Sequence, residues 1–453
     1  MLTSFIRKVN NFWKNGHNRT LAIKKNIIYS ILIKGASVLL GFVLFPLTIH
    51  YVNSVQYGIW LTIASLVAWV NTFDVGLSNG LRNKLAHSLA LGEKDNIVKY
   101  TSTTYAMLFF IVLTVFSVFF LAGSFFNWNQ LLHLQNAINY NIWPIILLSL
   151  GFFCLQFVLQ PINTILIATH QPFKSSLLFL AGQLLTLILT CILIRFTHGN
   201  LFILVFVVAG SPVLVLLCGS LYFFKKRLTS FIPRFSRIDF KSAKSLLNLG
   251  SAFFFIQIGA LVLYETDNII ITRTLGPYYV TTFNIAYKYF SILIIAFSII
   301  VTPYWSAFTD AYAKNDFEWI RVSIRKLRLL WLYTSVLALL LYFFSDIFYR
   351  LWIGNAVSIS KPLSLSIAIY VVFQNWMVIQ AYLLNGVGKL RIQLILVIAT
   401  SFLNIPLSVL LINRVGLHGT VIANVVVVAI INIFLTYQCK LIVDKKAAGI
   451  WNK

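Results

Sequence analysis

Long apolar stretches recur along the whole chain, and short segments rich in Lys, Arg, Asn and Gly separate them. An apolar run of about 18 residues or more is long enough to cross a bilayer as a helix, whereas a membrane β-barrel needs short segments of alternating polarity. The pattern therefore predicts an all-α polytopic membrane protein. Its twelve predicted transmembrane helices are residues 26–50, 57–73, 102–126, 141–168, 175–196, 200–224, 248–272, 281–303, 327–349, 363–386, 392–413 and 417–439.

The composition agrees with this interpretation. The chain of 453 residues is 59% hydrophobic and 10% charged, whereas soluble domains carry about 25% charged residues. The formal net charge of +25 is distributed in small groups between the apolar segments. Membrane topology explains such groups better than a nucleic-acid partner does, and we predict no nucleic-acid binding.

The basic residues alternate between the two sides of the predicted bundle. They concentrate in the termini and in the even-numbered connections between spans, and the odd-numbered connections hold only Arg195, Arg273, Arg350, Lys361 and Arg414. Cytoplasmic connections of membrane proteins carry the excess of Lys and Arg. We therefore predict that both termini are cytoplasmic and that the basic leader is an uncleaved tail instead of a signal peptide.

The predicted organisation has five parts. They are a basic cytoplasmic tail (1–25), a first lobe of six helices (26–224), an amphipathic cytoplasmic linker (225–247), a second lobe of six helices (248–441) and a C-terminal cytoplasmic tail (442–453). The basic residues of the linker suit the anionic inner leaflet. Because each lobe has an even number of spans, any repeat is parallel, with a pseudo-two-fold axis along the membrane normal.

Two cytoplasmic segments support such a repeat. LAHSLALGEKDNIVK (85–99) follows the second span, and FTDAYAKNDFEWIRV (308–322) follows the eighth. Each predicts the end of one helix, a turn at Gly92 or Asn315, and a new helix that opens with acidic residues at its positive end. Two generic amphipathic connectors are the alternative interpretation. Two six-helix lobes that face one another would enclose a central cavity, which is the plan of a transporter.

Four ionisable residues lie at membrane depth, where a charge costs a few kcal/mol and usually faces protein or water. Glu265 and Lys288 lie at similar depths on neighbouring antiparallel spans, so they can form an ion pair that is either structural or functional. Asp267 lies about 200° from Glu265 around a helix, so we expect the two acids to face different directions. Lys34 has no acid in its own span. It either reaches the head groups or provides a cationic site for an anion.

Amides and a polar loop provide further candidate binding residues. The segment FDVGLSNGLRNK (73–84), which contains Asn79 and Arg82, suits either a polar vestibule or an ordinary loop. The fourth and tenth spans are rich in amides, among them Gln160, Gln374 and Asn375. Such amides can bind a glycan or join helices by hydrogen bonds.

Sequence motifs of ATP hydrolysis and of metalloenzymes are absent. The sequence has no G-x-x-x-x-G-K followed by Ser or Thr and no H-E-x-x-H. Its four cysteines have spacings unlike those of a disulfide framework or a metal site. We therefore predict no cofactor, no bound metal and no enzymatic activity, with transport driven by an ion gradient, the membrane potential or the substrate gradient.

Four segments resemble the polysaccharide-export (Wzx-type) oligosaccharide flippases of the multidrug/oligosaccharidyl-lipid/polysaccharide (MOP) exporter superfamily. They are FDVGLSNGLRNKLAHSLALGEKD (73–95), YETDNIIITRTLGPYYVTTFNIAYKYF (264–290), TPYWSAFTDAYAKNDFEWI (302–320) and LLNGVGKLRIQ (383–393). The resemblance covers most of the chain and is most specific over residues 264–320. It implies a MATE-like, V-shaped bundle of twelve helices in two lobes.

The resemblance also implies a function. The protein would move an undecaprenyl-pyrophosphate-linked oligosaccharide from the cytoplasmic to the outer leaflet of a bacterial inner membrane, for O-antigen, capsule or exopolysaccharide assembly. Its partners would be membrane lipids, protons or Na⁺, a glycan polymerase and chain-length machinery. The cationic cavity and glycan contacts would involve Lys34, Arg82, Lys288, Asn79, Gln160, Gln374 and Asn375, and ion coupling would involve Glu265 and Asp267.

Two other functions stay open. An ion-coupled multidrug exporter (MATE-type) has the same plan, although that branch often carries an acid in its first helix, where this chain has Lys34. An integral membrane glycan polymerase or ligase is the second alternative. Such enzymes typically have a large outer loop, and the predicted outer loops here are short.

Overall fold

The computed structural model describes residues 18–69, 77–169, 171–240, 265–354 and 356–452, and the regular structure of these residues is helical, without strands. Within this part of the chain, ten helices are long and apolar enough to cross a membrane. One further apolar helix, Ser54–Ala68, is shorter. The protein is therefore an all-α polytopic membrane protein, which confirms the prediction from hydropathy.

The helices follow one another with short connections. In chain order they are α1 (Asn18–Val52), α2 (Ser54–Ala68), α3 (Leu77–Leu91), α4 (Lys94–Gly123), α5 (Trp128–Leu131), α6 (Trp143–Leu159), α7 (Pro161–Ala168), α8 (Pro172–Phe196), α9 (Leu201–Lys226), α10 (Pro277–Ala313), α11 (Phe317–Ile353), α12 (Lys361–Val387), α13 (Arg391–Val415) and α14 (His418–Val443). Residues 265–274 are also helical.

These helices form two compact units. The first unit contains α1, α3, α4 and α6 to α9, and the second contains α2, α5, the 265–274 segment and α10 to α14. Each unit has its own apolar core. In the first unit the core includes Leu81, Leu85 and Ile165, and in the second it includes Phe308 and Leu383. The division into lobes at 26–224 and 248–441 stays a prediction.

The fourth predicted helix, 141–168, corresponds to one apolar span, Trp143–Ala168, that is interrupted at Gln160. α6 ends at Leu159 and α7 begins at Pro161, with Gln160 between them. Proline has no backbone N–H to donate, so it ends one helix and fits the first position of the next. The apolar pattern continues across the break, which is why hydropathy alone does not reveal it.

Several helices extend well beyond the predicted transmembrane segments. α10 continues to Ala313 and α11 begins at Phe317, so most of the connection that we placed at 304–326 is helix. Hydropathy detects only the apolar part of such a helix, whereas amphipathic turns continue it past the membrane. Residues 248–264 of the seventh predicted span, residues 1–17 of the predicted N-terminal tail and residues 70–76 lie outside the described residues.

The turns at Gly92 and Asn315, in the two segments that support a repeat, have similar backbone geometry. Gly92 and Asn315 both have positive φ angles, of 72° and 57°. In the first turn the N–H of Glu93 donates to the carbonyl of Ser88 at 2.9 Å, and in the second the N–H of Asp316 donates to Ala311 at 2.8 Å. This confirms the predicted sequence of helix end, turn and new helix in both segments.

The residues that follow α9 lie along the first turns of α4. The Asp239 carboxylate pairs with Lys99 at 2.6 Å, and the Asp239 N–H donates to the Thr103 hydroxyl at 3.0 Å. The Arg234 N–H donates to the Ser102 hydroxyl at 2.8 Å. Backbone groups that would otherwise lack partners are thus satisfied by side chains of α4, and the beginning of the 225–247 linker is fixed to the first unit.

Candidate functional site

The central feature of the second unit is a polar cluster on the 265–274 segment. This segment ends in a turn in which the Gly276 N–H donates to the Ile271 carbonyl at 3.1 Å and Gly276 has a φ of +102°. Pro277 then begins α10. Asp267 lies nine residues before Gly276, hence about 14 Å along the helix at 1.5 Å per residue. The acids are therefore well inside the helical bundle.

Glu265 and Asp267 line the same cavity, which has a volume of about 200 Å³. Asn268 also lines this cavity. Our expectation that the two acids face different directions stays a prediction. The other lining residues come from α10, α12 and α14 and are Phe283, Asn284, Tyr287, Ile367, Tyr370, Val421 and Asn424.

Asp267 is the end point of a chain of hydrogen bonds. Its side chain is only 2% exposed, and its Oδ2 accepts from Asn424 Nδ2 at 2.6 Å. Asn424 Oδ1 accepts from Asn404 Nδ2 at 2.9 Å, and Asn404 Oδ1 accepts from the Ser408 hydroxyl at 2.8 Å. All donors point toward Asp267, as expected for a carboxylate that only accepts.

Glu265 belongs to a second group of polar contacts. The Ser65 hydroxyl on α2 is hydrogen-bonded to the Glu265 side chain and also accepts from Asn268 Nδ2 at 2.8 Å. Asn284 Nδ2 on α10 donates to Asn268 Oδ1, also at 2.8 Å. Both acids are therefore held by neutral hydroxyl and amide groups from neighbouring helices, which leaves their negative charge uncompensated by these contacts.

The Asp267 carboxylate retains one oxygen for a ligand. Oδ1 is buried and has no hydrogen-bond partner among the residues that the structure describes. A buried polar atom without a partner costs about 1–3 kcal/mol. A proton or a small cation bound at this oxygen would remove that cost, so the arrangement can bind an ion reversibly.

Two of the predicted binding residues lie one helical turn beyond this cavity. Lys288 follows the cavity residue Asn284 by four positions on α10, and Gln374 follows Tyr370 by four on α12. The two helices run parallel, since Tyr287 contacts Tyr370 and, further along, Thr302 contacts Tyr382. Lys288 and Gln374 therefore extend the polar lining in one direction. The pairing of Lys288 with Glu265 stays a prediction.

The remaining predicted residues lie elsewhere. Asn375 is buried on α12, with its side-chain oxygen unpartnered within the described residues. Lys34 is exposed on α1, Arg82 is exposed on α3, and Gln160 is exposed at the break between α6 and α7. The side chain of Asn79 lies outside the described residues. The structure therefore brings Glu265 and Asp267 into one cavity, and places Lys34, Arg82 and Gln160 in the first unit.

Sequence reasoning missed most of the amides around Asp267. Asn404 and Asn424 are buried amides in two largely apolar helices, α13 and α14. An Asn in an apolar transmembrane helix can form an interhelical hydrogen bond. A search for amides in every predicted helix, instead of only in the fourth and tenth, would have found them.

Comparisons with known proteins show what this chain is similar to. The MatE family model matches residues 252–410. Among solved structures, a multidrug resistance MATE family transporter of the MOP superfamily in an inward-facing conformation has a TM-score of 0.67 at 15% identity, covering 92% of this chain and 96% of that one. The same comparison finds an outward-facing MATE family transporter with a TM-score of 0.61 at 14% identity, covering 95% and 97%.

The fold of this chain is thus that of the MATE transporters. The chain is therefore similar to the MatE family over residues 252–410, and the shared fold agrees with this similarity. A relative from Bacillus subtilis (strain 168), "Uncharacterized membrane protein EpsK", is 22% identical over 410 residues, which is 88% of this chain and 79% of that protein.

Proposed function

We propose that this protein is a flippase that moves an oligosaccharide on undecaprenyl pyrophosphate from the cytoplasmic to the outer leaflet of a bacterial inner membrane. The observation that carries the transport proposal is the cavity in the second unit, where Asp267 and Glu265 lie among amides and tyrosines. Acids at membrane depth are costly, and they mark ion or substrate pathways.

In this proposal, Asp267 and Glu265 couple transport to protons or Na⁺. Asp267 Oδ1 has no partner among the described residues, and Glu265 is close enough to interact with Asp267 electrostatically. A bound proton or Na⁺ would remove repulsion between the two acids and satisfy the Oδ1 atom. Loss of the ion would restore both the repulsion between the acids and the unsatisfied Oδ1 atom. The ion-bound and ion-free states of the site therefore differ in energy, and this difference can bias a conformational change.

The proposed transport cycle is alternating access. MATE family transporters with this fold have been solved in inward-facing and outward-facing conformations. We infer that the two predicted lobes, 26–224 and 248–441, rock in the same manner while the lipid tail of the substrate stays in the bilayer. The head group would cross through a polar path that includes Lys288 and Gln374.

The substrate class is supported by the positive charges in the spans and by the sequence resemblance to Wzx-type flippases. Lys34 is a cation in α1, and a cation favours an anionic diphosphate over a cationic drug. Ion-coupled multidrug export is the second candidate, because solved structures with this fold include multidrug resistance transporters. In that case the two acids would bind the cationic substrate.

The test is transport by the purified protein in liposomes. A lipid-linked oligosaccharide is loaded, an H⁺ or Na⁺ gradient is imposed, and the rate at which the glycan becomes accessible on the opposite face is measured, with a cationic dye in parallel. We expect protein-dependent glycan translocation without dye transport. Dye movement without glycan translocation would favour the multidrug exporter, and movement of neither substrate would contradict both proposals.

A further inference from the structure

An unusual group of charges lies in the first unit, where α8 begins and α9 ends. Lys174 is the third residue of α8, and Lys225 and Lys226 are the last two residues of α9, followed by Arg227. Lys174 Nζ lies 5.6 Å from the centre of the Phe223 ring, one helical turn before Arg227. The Arg227 N–H donates to the Phe223 carbonyl at 2.9 Å, so Arg227 lies at the same helix end as the ring that Lys174 approaches.

These two cations have no acidic partner among the described residues. The described acids of the first unit are Glu93, Asp95 and Asp239, and each has a different partner: Asn96 donates to Glu93, Arg237 pairs with Asp95, and Lys99 pairs with Asp239. The side-chain hydrogen bond of Lys174 is to the neutral amide of Gln171. Two like charges held together without a counter-ion form an anion site when an anion is supplied.

The helix ends reinforce this preference for an anion. α8 begins at Pro172 without a side-chain cap, and the Lys174 N–H donates to the Gln171 carbonyl at 3.0 Å. The N-terminus of a helix carries partial positive charge and attracts anions, and Lys174 lies in that same turn. A cation there is unfavourable unless an anion accompanies it. A phosphate group would be stabilised by the cations and by the helix end together.

The position of the group indicates a lipid as the source of the anion. Tyr222 and Phe223 precede the basic residues on α9, and Lys226 lies 5.3 Å from the Tyr222 ring. Aromatic residues followed by Lys and Arg are typical of the head-group level of a membrane. Leu177 on α8 and Leu221 on α9 are 49% and 64% exposed and provide an apolar surface next to the charges.

We propose that Lys174 and Arg227 bind the phosphate of a lipid head group at the membrane surface, with the lipid chain along the exposed apolar side chains of α8 and α9. Two sources supply this chemistry: a polyprenyl diphosphate, which is the substrate class under the proposed function, and an ordinary anionic phospholipid. The first source rests on the proposed function, whereas the site itself does not.

The test uses the full chain in nanodiscs of zwitterionic phosphatidylcholine. Binding of radiolabelled farnesyl diphosphate is measured for the wild type and for Lys174→Gln combined with Arg227→Gln. Hydrogen bonds to charged groups contribute enough that we expect at least about a tenfold loss of affinity. The matched control is Arg391→Gln combined with Lys440→Gln, which removes two exposed charges from helix ends of the second unit and should bind as the wild type does.

A charge-preserving variant, Lys174→Arg with Arg227→Lys, shows whether the loss of affinity comes from the lost charge or from misfolding, and it should retain affinity.

Titration of phosphatidylglycerol into the nanodiscs identifies the source of the anion. Displacement of the diphosphate at low phosphatidylglycerol content supports the site with bulk lipid as the occupant, and retention of the diphosphate supports the substrate lipid. Unchanged affinity in the double Gln variant, or an equal loss in the control, would overturn the site. Translocation in liposomes is measured separately, so its failure would leave this binding result intact.

Discussion

The Asn424 side chain donates to the Asp267 carboxylate at 2.6 Å and joins α14 to the 265–274 segment. The same amide accepts from Asn404 on α13. Asp267 is thus connected to two neighbouring helices by side chains alone. A change in the charge of Asp267 changes the strength of the hydrogen bond from Asn424, which in turn is bonded to Asn404 on α13.

Replacing Asp267 with Asn should remove ion coupling while preserving the fold. The side-chain oxygen of the introduced amide can still accept from Asn424, but a neutral amide cannot take up a proton or attract a cation in the same way. We expect gradient-driven translocation in liposomes to fall by at least about tenfold, equivalent to about 1.4 kcal/mol. Asp310→Asn is the control, because Asp310 is exposed and pairs with Lys314 on the same helix. If the Asp267→Asn variant transported at the wild-type rate and still depended on the gradient, Asp267 would be excluded as the coupling residue.

Replacing Asn424 with Leu should destabilise the second unit. The substitution leaves Asp267 Oδ2 and Asn404 Nδ2 without their partners in a buried environment, which costs about 1–3 kcal/mol for each such group. The melting temperature of the purified protein measures the effect. Ser408→Ala, at the far end of the chain of hydrogen bonds, should lower it much less. An equal decrease for both variants would show that the connection to Asp267 is not the source of the stabilisation.

The sequence predicted the helical class and drew attention to Glu265 and Asp267, which line one cavity, because both depend on simple local properties. Apolar runs of this length have few alternatives to a membrane helix, and acids are rare enough in such runs to stand out. The partners of these acids could not be predicted in the same way. Ser65, Asn284 and Asn424 come from three separate helices, and their meeting depends on how those helices pack.

Some helix ends could be predicted from the sequence, and others could not. The turns at Gly92 and Asn315 were predictable because their residue types adopt the left-handed backbone conformation. The break at Gln160 was not predicted, although Pro161 indicates it, because the apolar pattern continues through it. Hydropathy also did not predict the extension of α10 to Ala313, since the added turns are amphipathic.

Alanine at Lys34 or Lys288 should reduce glycan translocation without loss of protein from the membrane. Both residues are cations within helices, and a diphosphate loses a favourable interaction when either charge is removed. The measurement is the rate of glycan translocation in liposomes that contain equal amounts of protein. Arg391→Ala, which removes an exposed charge at the start of α13, is the control. Normal rates in both lysine variants would contradict a cationic path.

Alanine at Gly58 should disrupt the contact between α2 and α10. A Cβ atom at this position would overlap the backbone carbonyl of Pro277, and backbone cannot move aside as a flexible side chain can. Overpacking of this type costs about 1–3 kcal/mol. We expect a lower melting temperature and a lower yield of folded protein. Gly35→Ala is the matched control, because a Cβ there meets no heavy atom of the described residues within 4 Å. Equal effects of the two substitutions would mean that the close approach is not the cause.

Substitutions in the repeated turns should depend on backbone conformation more than on size. Gly92 has a φ of 72°, which costs about 1–2 kcal/mol for most residues with a side chain but less for Asn. We therefore expect Gly92→Val to lower the melting temperature, Gly92→Asn to change it little, and Asn315→Gly to leave it equal or higher. Asn already occupies this conformation at position 315, where φ is 57°. If Gly92→Asn were as destabilising as Gly92→Val, side-chain crowding at the turn would be the better explanation, even though a Cβ at Gly92 meets no heavy atom within 4 Å.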